Sequence, residues 1–429
     1  MAHSSQLKTC VMDKAKDFIK KHLNDDVNKL ALSKFPEDID KQFVIRQIQA
    51  RQVLSKKLPS WAESDELVFP KKLSLEQCSS ELTAKYKSSL VKGKTLIDLT
   101  GGMGVDTSFL SDNFEKTFYV EMQEELCEIA KHNFKILNKN IEVVNDNAEH
   151  FLTICDEVDC IYLDPARRDE YGRKMVSLHD CSPDVVELHD LLFKKAKTIL
   201  IKVSPMLDIE MVKKELKDIT EIHVVAVRNE CKELVLVLGQ QTTVNRQQSL
   251  PMARSSWLTA IDLRENWNFA FSEDEELNAQ WTLADAVGKY LYEPGVACMK
   301  AGCFKLLSQR YGLDKLHRNS HLYTSDELVS DFPGRIFEVV NVVPFDKKTK
   351  KEISSRCQQS TDNGQQTLEE SSKLKAQSSR LKASVATRNF PLSADELRKN
   401  LGLQDGNDFY LFGTTMKGEK KVVVLAKKL

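Results

Sequence analysis

The chain has almost no net charge and no closely paired cysteines, and each shortage narrows what it can be. Sixty-two Lys and Arg stand against 63 Asp and Glu, a formal net charge of -1 over 429 residues. No global basic field calls for nucleic acid, although a local basic patch fits inside a balanced total. The ten cysteines include no C-x-x-C pair; the nearest spacings are Cys155/Cys160 and Cys298/Cys303, and neither has a histidine at metal-site spacing. Reduced thiols and no bound metal are therefore expected. No stretch approaches the ~20 apolar residues of a membrane span, and Met1 to Lys20 is polar, unlike a signal peptide. The expectation is a cytoplasmic protein without a membrane partner. What remains is 41% hydrophobic and 29% charged, enough for globular domains with a real core. The length suggests two to four of them.

Residues 1–90 read as a helical region. Asp13 to Leu32 and Phe43 to Leu58 carry apolar residues near helical spacing, and Pro59 and Pro70 punctuate them. Ser74-Leu75-Glu76-Gln77 looks like a capping box opening a helix that runs towards Leu90. From Lys94 the period changes. Short apolar strands are expected at Thr95 to Thr100, Thr117 to Glu121, Ile141 to Val144, Val158 to Asp164, Thr198 to Val203, Ile222 to Val227 and Leu234 to Leu238. Continuous apolar strands separated by helix-length gaps imply a mostly parallel sheet covered on both faces. Only Arg228 to Glu233 joins the last two, too little for a parallel crossover, so these pair antiparallel. Residues 91–240 thus read as a Rossmann-like α/β core of seven strands. Beyond it, 240–280 looks polar and irregular apart from a strand at Trp257 to Leu263. Trp281 to Leu313 looks helical, interrupted at Pro294-Gly295, and Arg335 to Pro344 reads as a strand. Residues 347–382, rich in Lys, Ser, Gln and Glu, read as a flexible insertion. Pro391 to Leu397 begins a helix, and Phe409 to Gly413 and Lys421 to Ala426 pattern as strands.

The first strand ends in Asp98-Leu99-Thr100-Gly101-Gly102-Met103-Gly104. Strand, glycines and helix in that order bring backbone N–H groups close to a polar ligand. The dinucleotide fingerprint G-x-G-x-x-G is incomplete, because Thr107 occupies the third glycine position. S-adenosylmethionine has no pyrophosphate and needs an acid at the strand end for its ammonium, with small residues beside its sugar. Asp98, Gly101, Gly102 and Gly104 fit. Thr100 departs from the usual glycine two positions after the acid. Glu121 lies 23 residues after Asp98 at the next strand end, where a carboxylate accepts from both ribose hydroxyls. Asp146, in the turn Asn145 to Ala148, is placed for the adenine amine. S-adenosyl-L-methionine is the expected cofactor, and six parallel strands followed by an antiparallel seventh is the strand plan of class I methyltransferases.

The fourth strand runs into Asp164-Pro165-Ala166-Arg167-Arg168-Asp169, at the strand end that opens beside a cofactor in this architecture. Asp164, held by Pro165, suits an amine or a nucleophile, and Arg167 and Arg168 suit a phosphate or carboxylate. The motif resembles the Asp/Asn-Pro-Pro-aromatic signature of amino-methylating enzymes, without the aromatic and with Ala166 for the second proline. It is also similar to the Asp-Pro-Pro-Arg signature of RNA uracil-5 methyltransferases. Those need a cysteine after the fifth strand, where this chain has Val203-Ser204-Pro205-Met206. A covalent route at a pyrimidine carbon is thereby disfavoured. His150, His179 and His189 are weaker base candidates.

Taken together, Ser74 to Lys87, Asp98 to Asp106, Asp164 to Asp169, Tyr292 to Gly295 with Lys300 to Gly302, His321 to Thr324, Asp331 to Arg335 and Ala386 to Pro391 resemble a bacterial family of class I methyltransferases. Members carry a ferredoxin-like segment, here 275–330, and a C-terminal THUMP-like domain, here 331–429. In class I enzymes the helix before the first strand often caps the cofactor's methionine end, which points to Thr83 and Tyr86. THUMP domains bind RNA, so the resemblance implies an RNA partner. Asp331 to Leu429 holds 18 Lys and Arg against 12 Asp and Glu, and Arg388 and Asn389 beside Phe390 suit phosphate and base. The expected activity is methyl transfer to tRNA or rRNA at a nitrogen. Open alternatives are a protein or small-molecule acceptor, a non-catalytic RNA-binding module, and a nicotinamide oxidoreductase. Oligomeric state stays open.

Overall fold

The structure is a computed structural model that describes residues 14–167, 177–239, 256–349, 352–353 and 382–429. Arg168, Asp169 and most of the 347–382 insertion lie outside them. The chain forms two compact units, one of Met1–Val225 with Lys232–Ser256, the other of Ala226–Cys231 with Trp257–Leu429.

The first unit opens with helices. A stretch over 14–21 and Val27–Leu32 replace the single helix expected from Asp13 to Leu32, because the Asp26 carboxylate accepts the Asn28 and Lys29 N–H groups and restarts the helix there. α1 (Lys41–Lys57) is capped by Asp40. The helix expected from Ser74 to Leu90 is instead two. α2 (Lys72–Gln77) ends at an extended Cys78, and α3 (Glu81–Leu90) restarts with the Ser80 hydroxyl accepting the Thr83 N–H. Local side-chain-to-backbone bonding at Ser80 wins over continuation, a competition typical of serine. Leu75, Trp61, Leu67 and Phe69 pack together with Met103 and Val105 of the glycine loop, so this region supports that loop directly.

Seven strands follow: β1 (Gly93–Asp98), β2 (Phe114–Glu121), β3 (Ile141–Asn145), β4 (Val158–Leu163), β5 (Ala196–Val203), β6 (Ile219–Val227) and β7 (Glu230–Gly239). They lie in the order β3-β2-β1-β4-β5-β7-β6. Pairs β1–β2, β1–β4, β2–β3 and β4–β5 are parallel, and β5–β7 is antiparallel. The turn joining β6 to β7 is Arg228-Asn229, both with positive φ (54° and 59°), the two-residue geometry that matches strand twist in a hairpin. This is the class I Rossmann-like core. Helices α4 (Val105–Leu110), α5 (Glu124–Ile136), α6 (Ala148–Ile154), α7 (His189–Lys195) and α8 (Ile209–Glu215) connect the parallel strands. After β1 the chain moves outward through β2 and β3, then returns to the other side with β4. A crevice therefore opens at the carboxyl ends of β1 and β4, the switch point where such sheets bind ligands.

The second unit begins with an antiparallel hairpin, β8 (Trp257–Asp262) and β9 (Trp267–Ser272), followed by α9 (Glu273–Asn278). β9 and α9 correct the irregular reading of 240–280. Phe269 and Phe271 are buried while Asn268 and Ala270 are exposed, a period-2 alternation. The helical reading of Trp281 to Leu313 is also corrected. Residues before Pro294 form β10 (Tyr290–Pro294), and only α10 (Val296–Ala301) and α11 (Phe304–Tyr311) are helical. Tyr290-Leu291-Tyr292 pairs on both sides, and that sheet pairing decides its state. The remaining strands are β11 (Asp314–Lys315), β12 (Tyr323–Ser325), β13 (Gly334–Pro344), β14 (Lys382–Arg388), β15 (Gln404–Thr415) and β16 (Lys421–Lys428), with α12 (Ala394–Leu401) after β14. The sheet order is β11-β12-β10-β13-β16-β15-β14.

Candidate functional site

The glycine loop is braced from within. Asp98 is 1% exposed; its carboxylate accepts the Thr100 N–H at 3.0 Å and the Thr107 hydroxyl at 2.5 Å. Burial pushes this carboxyl up to about 7. Asp98 thus ties the end of β1 to the loop and to α4. Thr107, where a dinucleotide loop has glycine, is the other end of that brace. Thr100 has a place as well, because its hydroxyl accepts the Asp164 N–H at 2.6 Å and fixes the loop to the end of β4. Gly101 admits no side chain. A Cβ there would stand 2.2 Å from the Tyr119 ring, whose hydroxyl donates to the Gly102 carbonyl at 2.6 Å. At Gly104, with φ of 80°, a Cβ would stand 2.8 Å from Phe134.

A cavity of about 300 Å³ lies against this loop, lined by Asp98, Gly102, Glu121, Asp146 and Asp164 among others. Glu121 is 9% exposed and accepts the Gly102 N–H at 3.0 Å and the Gln123 N–H at 2.8 Å. Its carboxylate joins the loop to β2 and faces the same cavity. Asp146 accepts the Asn147 N–H and pairs with His150 at 2.6 Å. The His150 hydrogen bond holds it below the usual carboxylate range.

Thr83 and Tyr86 do not line the cavity. The Thr83 hydroxyl bonds to Ser80, and the Tyr86 hydroxyl meets His223 Nδ1 at 2.8 Å. Because α3 starts only at Glu81, the cavity wall comes from the preceding segment, Ser74, Gln77, Cys78 and Ser79.

On the other side stands Asp164. Pro165 is buried behind it, and Ala166-Arg167 pairs antiparallel with Cys181-Ser182. Ala166, Ser182 and Pro183 reach the cavity. Arg167 is placed by its backbone alone, and Arg168 lies outside the described residues.

Sequence reasoning missed what lies beneath. Lys202 Nζ stands 2.5 Å from Asp164 Oδ2. Lys87, 0% exposed, stands 2.6 Å from Glu233 and 3.2 Å from Asp106. Asp106 also accepts from Ser79 at 2.7 Å and from Tyr162 at 2.8 Å. Burial raises the Asp106 carboxyl, but Lys87 and Lys202 outweigh that and hold it below its ordinary range. Asp106, Ser79, Tyr162 and Asp164 all line the cavity. The available signal was a charge inside an apolar strand: Lys202 interrupts Thr198 to Val203.

In the second unit, Arg388 Nη2 pairs with Glu293 at 2.7 Å, and Arg335 holds the same carboxylate, which is 2% exposed. Asn389 bonds to His317 Nδ1 at 2.9 Å, and Phe390 packs edge-on against Phe345. The expected open contact set at Arg388 and Asn389 is thus internally engaged. Glu293 on β10 and Arg388 on β14 come from strands that are not neighbours in the sheet order, and the ion pair joins them directly.

Among the described residues no cluster of three or more His, Cys, Asp or Glu could hold a metal, and no helix is long and apolar enough to cross a membrane.

Comparison with known proteins finds a ferredoxin-like domain over residues 290–333 and a THUMP domain-like match over 367–428. A crystal structure from Porphyromonas gingivalis W83, described as a "putative methyltransferase", is similar at 33% identity with a TM-score of 0.80, covering 97% of this chain and 98% of that one. An rRNA methylase from Streptococcus thermophilus is 14% identical over 37% of this chain and 96% of that one, with a TM-score of 0.28, too low to carry argument. The search of curated proteins finds no match.

Proposed function

The chain belongs to the family of the Porphyromonas gingivalis protein, with its class I Rossmann-like core, ferredoxin-like part and THUMP-like part, and from that premise we propose that it is an S-adenosylmethionine-dependent methyltransferase acting on a nitrogen of RNA. The observation that carries the reading is the cavity at the switch point, walled by the glycine loop on one side and by Asp164 on the other.

The residues fit the cofactor. Gly102 leaves open space where a Cβ would stand, Gly101 and Gly104 let the loop pack against Tyr119 and Phe134, Glu121 offers a carboxylate for vicinal hydroxyls, and Asp146 lies at the turn suited to an adenine amine. Asp98 lines the cavity and at the same time braces the loop through Thr100 and Thr107, so one carboxyl would both hold the loop and meet the cofactor's ammonium. When bound, the cofactor supplies an electrophilic methyl group. The protein's part is then positioning. Asp164 accepts a hydrogen bond from the acceptor's N–H and orients its lone pair. No cysteine lies at the turn after β5, so a covalent route through that position is not supported. The RNA part rests on the THUMP-like match and the basic excess of the last hundred residues.

The test is incubation with labelled S-adenosylmethionine and total cellular RNA, followed by nucleoside analysis, with a parallel arm on protein extract. Label should enter an N-methylated nucleoside. Asp164→Ala should abolish transfer while calorimetry still shows cofactor binding. Label only in protein would overturn the acceptor reading, and full activity in Asp164→Ala would overturn the role of Asp164.

A further inference from the structure

Asp164 is one-third exposed and sits where β4 leaves the sheet, so nothing in its own backbone fixes which way its carboxylate turns. Lys202 supplies that constraint. It lies on β5, one residue beyond the Leu163–Ile201 pair, and its ammonium meets Asp164 Oδ2 at 2.5 Å. The lysine cannot wander, because its side chain is 13% exposed and its strand is hydrogen-bonded on both sides, to β4 and to β7. It is Oδ2 of Asp164 that Lys202 engages, and Asp164 also lines the cavity.

We propose that Lys202 is a positioning residue for methyl transfer: it holds one oxygen of Asp164 so that the other is presented to the acceptor's N–H in the cavity. Burial alone would lower the Lys202 ammonium, but Asp164, Asp106 and Glu233 together keep it above the ordinary lysine range. It therefore stays charged wherever the protein is folded, and it acts by holding rather than by exchanging a proton. A carboxylate with one oxygen held by a fixed cation serves here as a hydrogen-bond acceptor. That suits an acceptor nitrogen whose lone pair would take the methyl group as the methyl–sulfur bond breaks and the neutral thioether leaves, the nitrogen's proton then passing to water. The inference rests on the methyltransferase reading above and adds to it a residue that no sequence motif marks.

The test is a double-mutant cycle on the full-length protein using the labelled-RNA assay, with calorimetric cofactor binding and thermal unfolding measured on every variant. Lys202→Met should lower kcat on the order of 100-fold, the scale of a misplaced catalytic group, with the cofactor Kd within about threefold. Lys202→Gln, which keeps a donor and is the variant to read if Lys202→Met does not fold, should fall between. In an Asp164→Asn background the same substitutions should cost less than about twofold more, because the two residues act as one unit. Wild-type kcat in Lys202→Met or Lys202→Gln would overturn the inference, as would cofactor binding lost in step with activity, or equal losses in both backgrounds. Full activity in Asp164→Asn alone would instead sink the role of Asp164, so the two failures are separable.

Discussion

Replacing Lys87 by methionine should destabilise the first unit severely. The Nζ of Lys87 is 0% exposed and serves three partners: Glu233 at 2.6 Å, Ser79 at 3.0 Å and Asp106 at 3.2 Å. Methionine matches the volume but leaves Glu233, 3% exposed, and Asp106, 9% exposed, without the Lys87 ammonium. Stranding one partner of a buried ion pair costs about 3–5 kcal/mol, because the remaining charge keeps its desolvation penalty and loses its attraction. For a folding unit of this size each kcal/mol is worth roughly 2–4 °C. The drop in midpoint is therefore roughly 6–20 °C, read by thermal unfolding at pH 7. Adding Glu233→Gln should recover part of the loss, since one stranded charge is removed while Lys202 still faces Asp106. A Lys87→Met protein within about 1 kcal/mol of wild type would refute the reasoning. The carboxylates would then be solvated or protonated, rather than held by the lysine.

The glycine loop gives a ranked pair. Gly101→Ala puts a methyl 2.2 Å from the buried Tyr119 ring, whereas Gly102→Ala meets nothing closer than 3.7 Å and pays only for its φ of 55°. Overpacking costs about 1–3 kcal/mol or more, and left-handed strain about 1–2 kcal/mol. Thermal unfolding should show Gly101→Ala to be the more destabilised of the two, by about 1–3 kcal/mol or more against wild type; the reverse order would contradict the packing around Tyr119. Asp98 sets a pH dependence. Its folded value of about 7 against an ordinary 3.8 means the folded chain keeps a proton that the unfolded chain releases. This group's contribution to stability is therefore full below about pH 4 and is lost as pH rises through about 7. The groups around it are Thr107, Thr100, Asp106 and Asp164, and only the two threonines favour its ionised form. Asp98→Asn should thus gain on wild type by up to roughly 1.4 kcal/mol per pH unit across that window. Denaturant titrations at pH 5 and pH 8 check this, and an unchanged difference between the two proteins would count against it.

The sheet was legible because two signals agreed. Strands such as Thr198 to Val203 and Leu234 to Leu238 are apolar along their length, as burial on both faces requires, and the six-residue link at Arg228 to Glu233 left only an antiparallel pairing. Where signals disagreed, pairing won. Tyr290-Leu291-Tyr292 reads well enough in a helix, yet its hydrogen bonds go to β12 and β13, partners far away in sequence. Ser74 offered a capping box, but Ser80 offers a competing cap six residues on, and the side chains of Ser79 and Lys87 are both committed to the network around Asp106. Choosing between the two caps needed knowledge of what the segment packs against.

The candidate site divides along the same line. Residues whose role depends on sequence neighbours could be found by spacing: Gly101 to Gly104 after a strand, Glu121 at the next strand end, Asp164 before proline. Their partners could not, because each comes from another element. Asp98 is found by its place at a strand end, but that it also braces the loop depends on its distance to Thr107, a partner on the following helix. Arg388 looked free for a phosphate until Glu293, 95 residues away in the chain, appeared at 2.7 Å. Lys202 is the sharpest case. A lysine in an apolar strand is costly to bury, so its presence there signals a partner, but the partner's identity depends on which strand lies beside it. Once β4 is known to pair with β5, the step from Leu163–Ile201 to Asp164–Lys202 follows from the register alone. An isolated charge inside a predicted core strand is therefore best read together with the end of the strand expected to pair with it. In this chain that rule links the Asp164-Pro165 motif to a residue with no motif of its own.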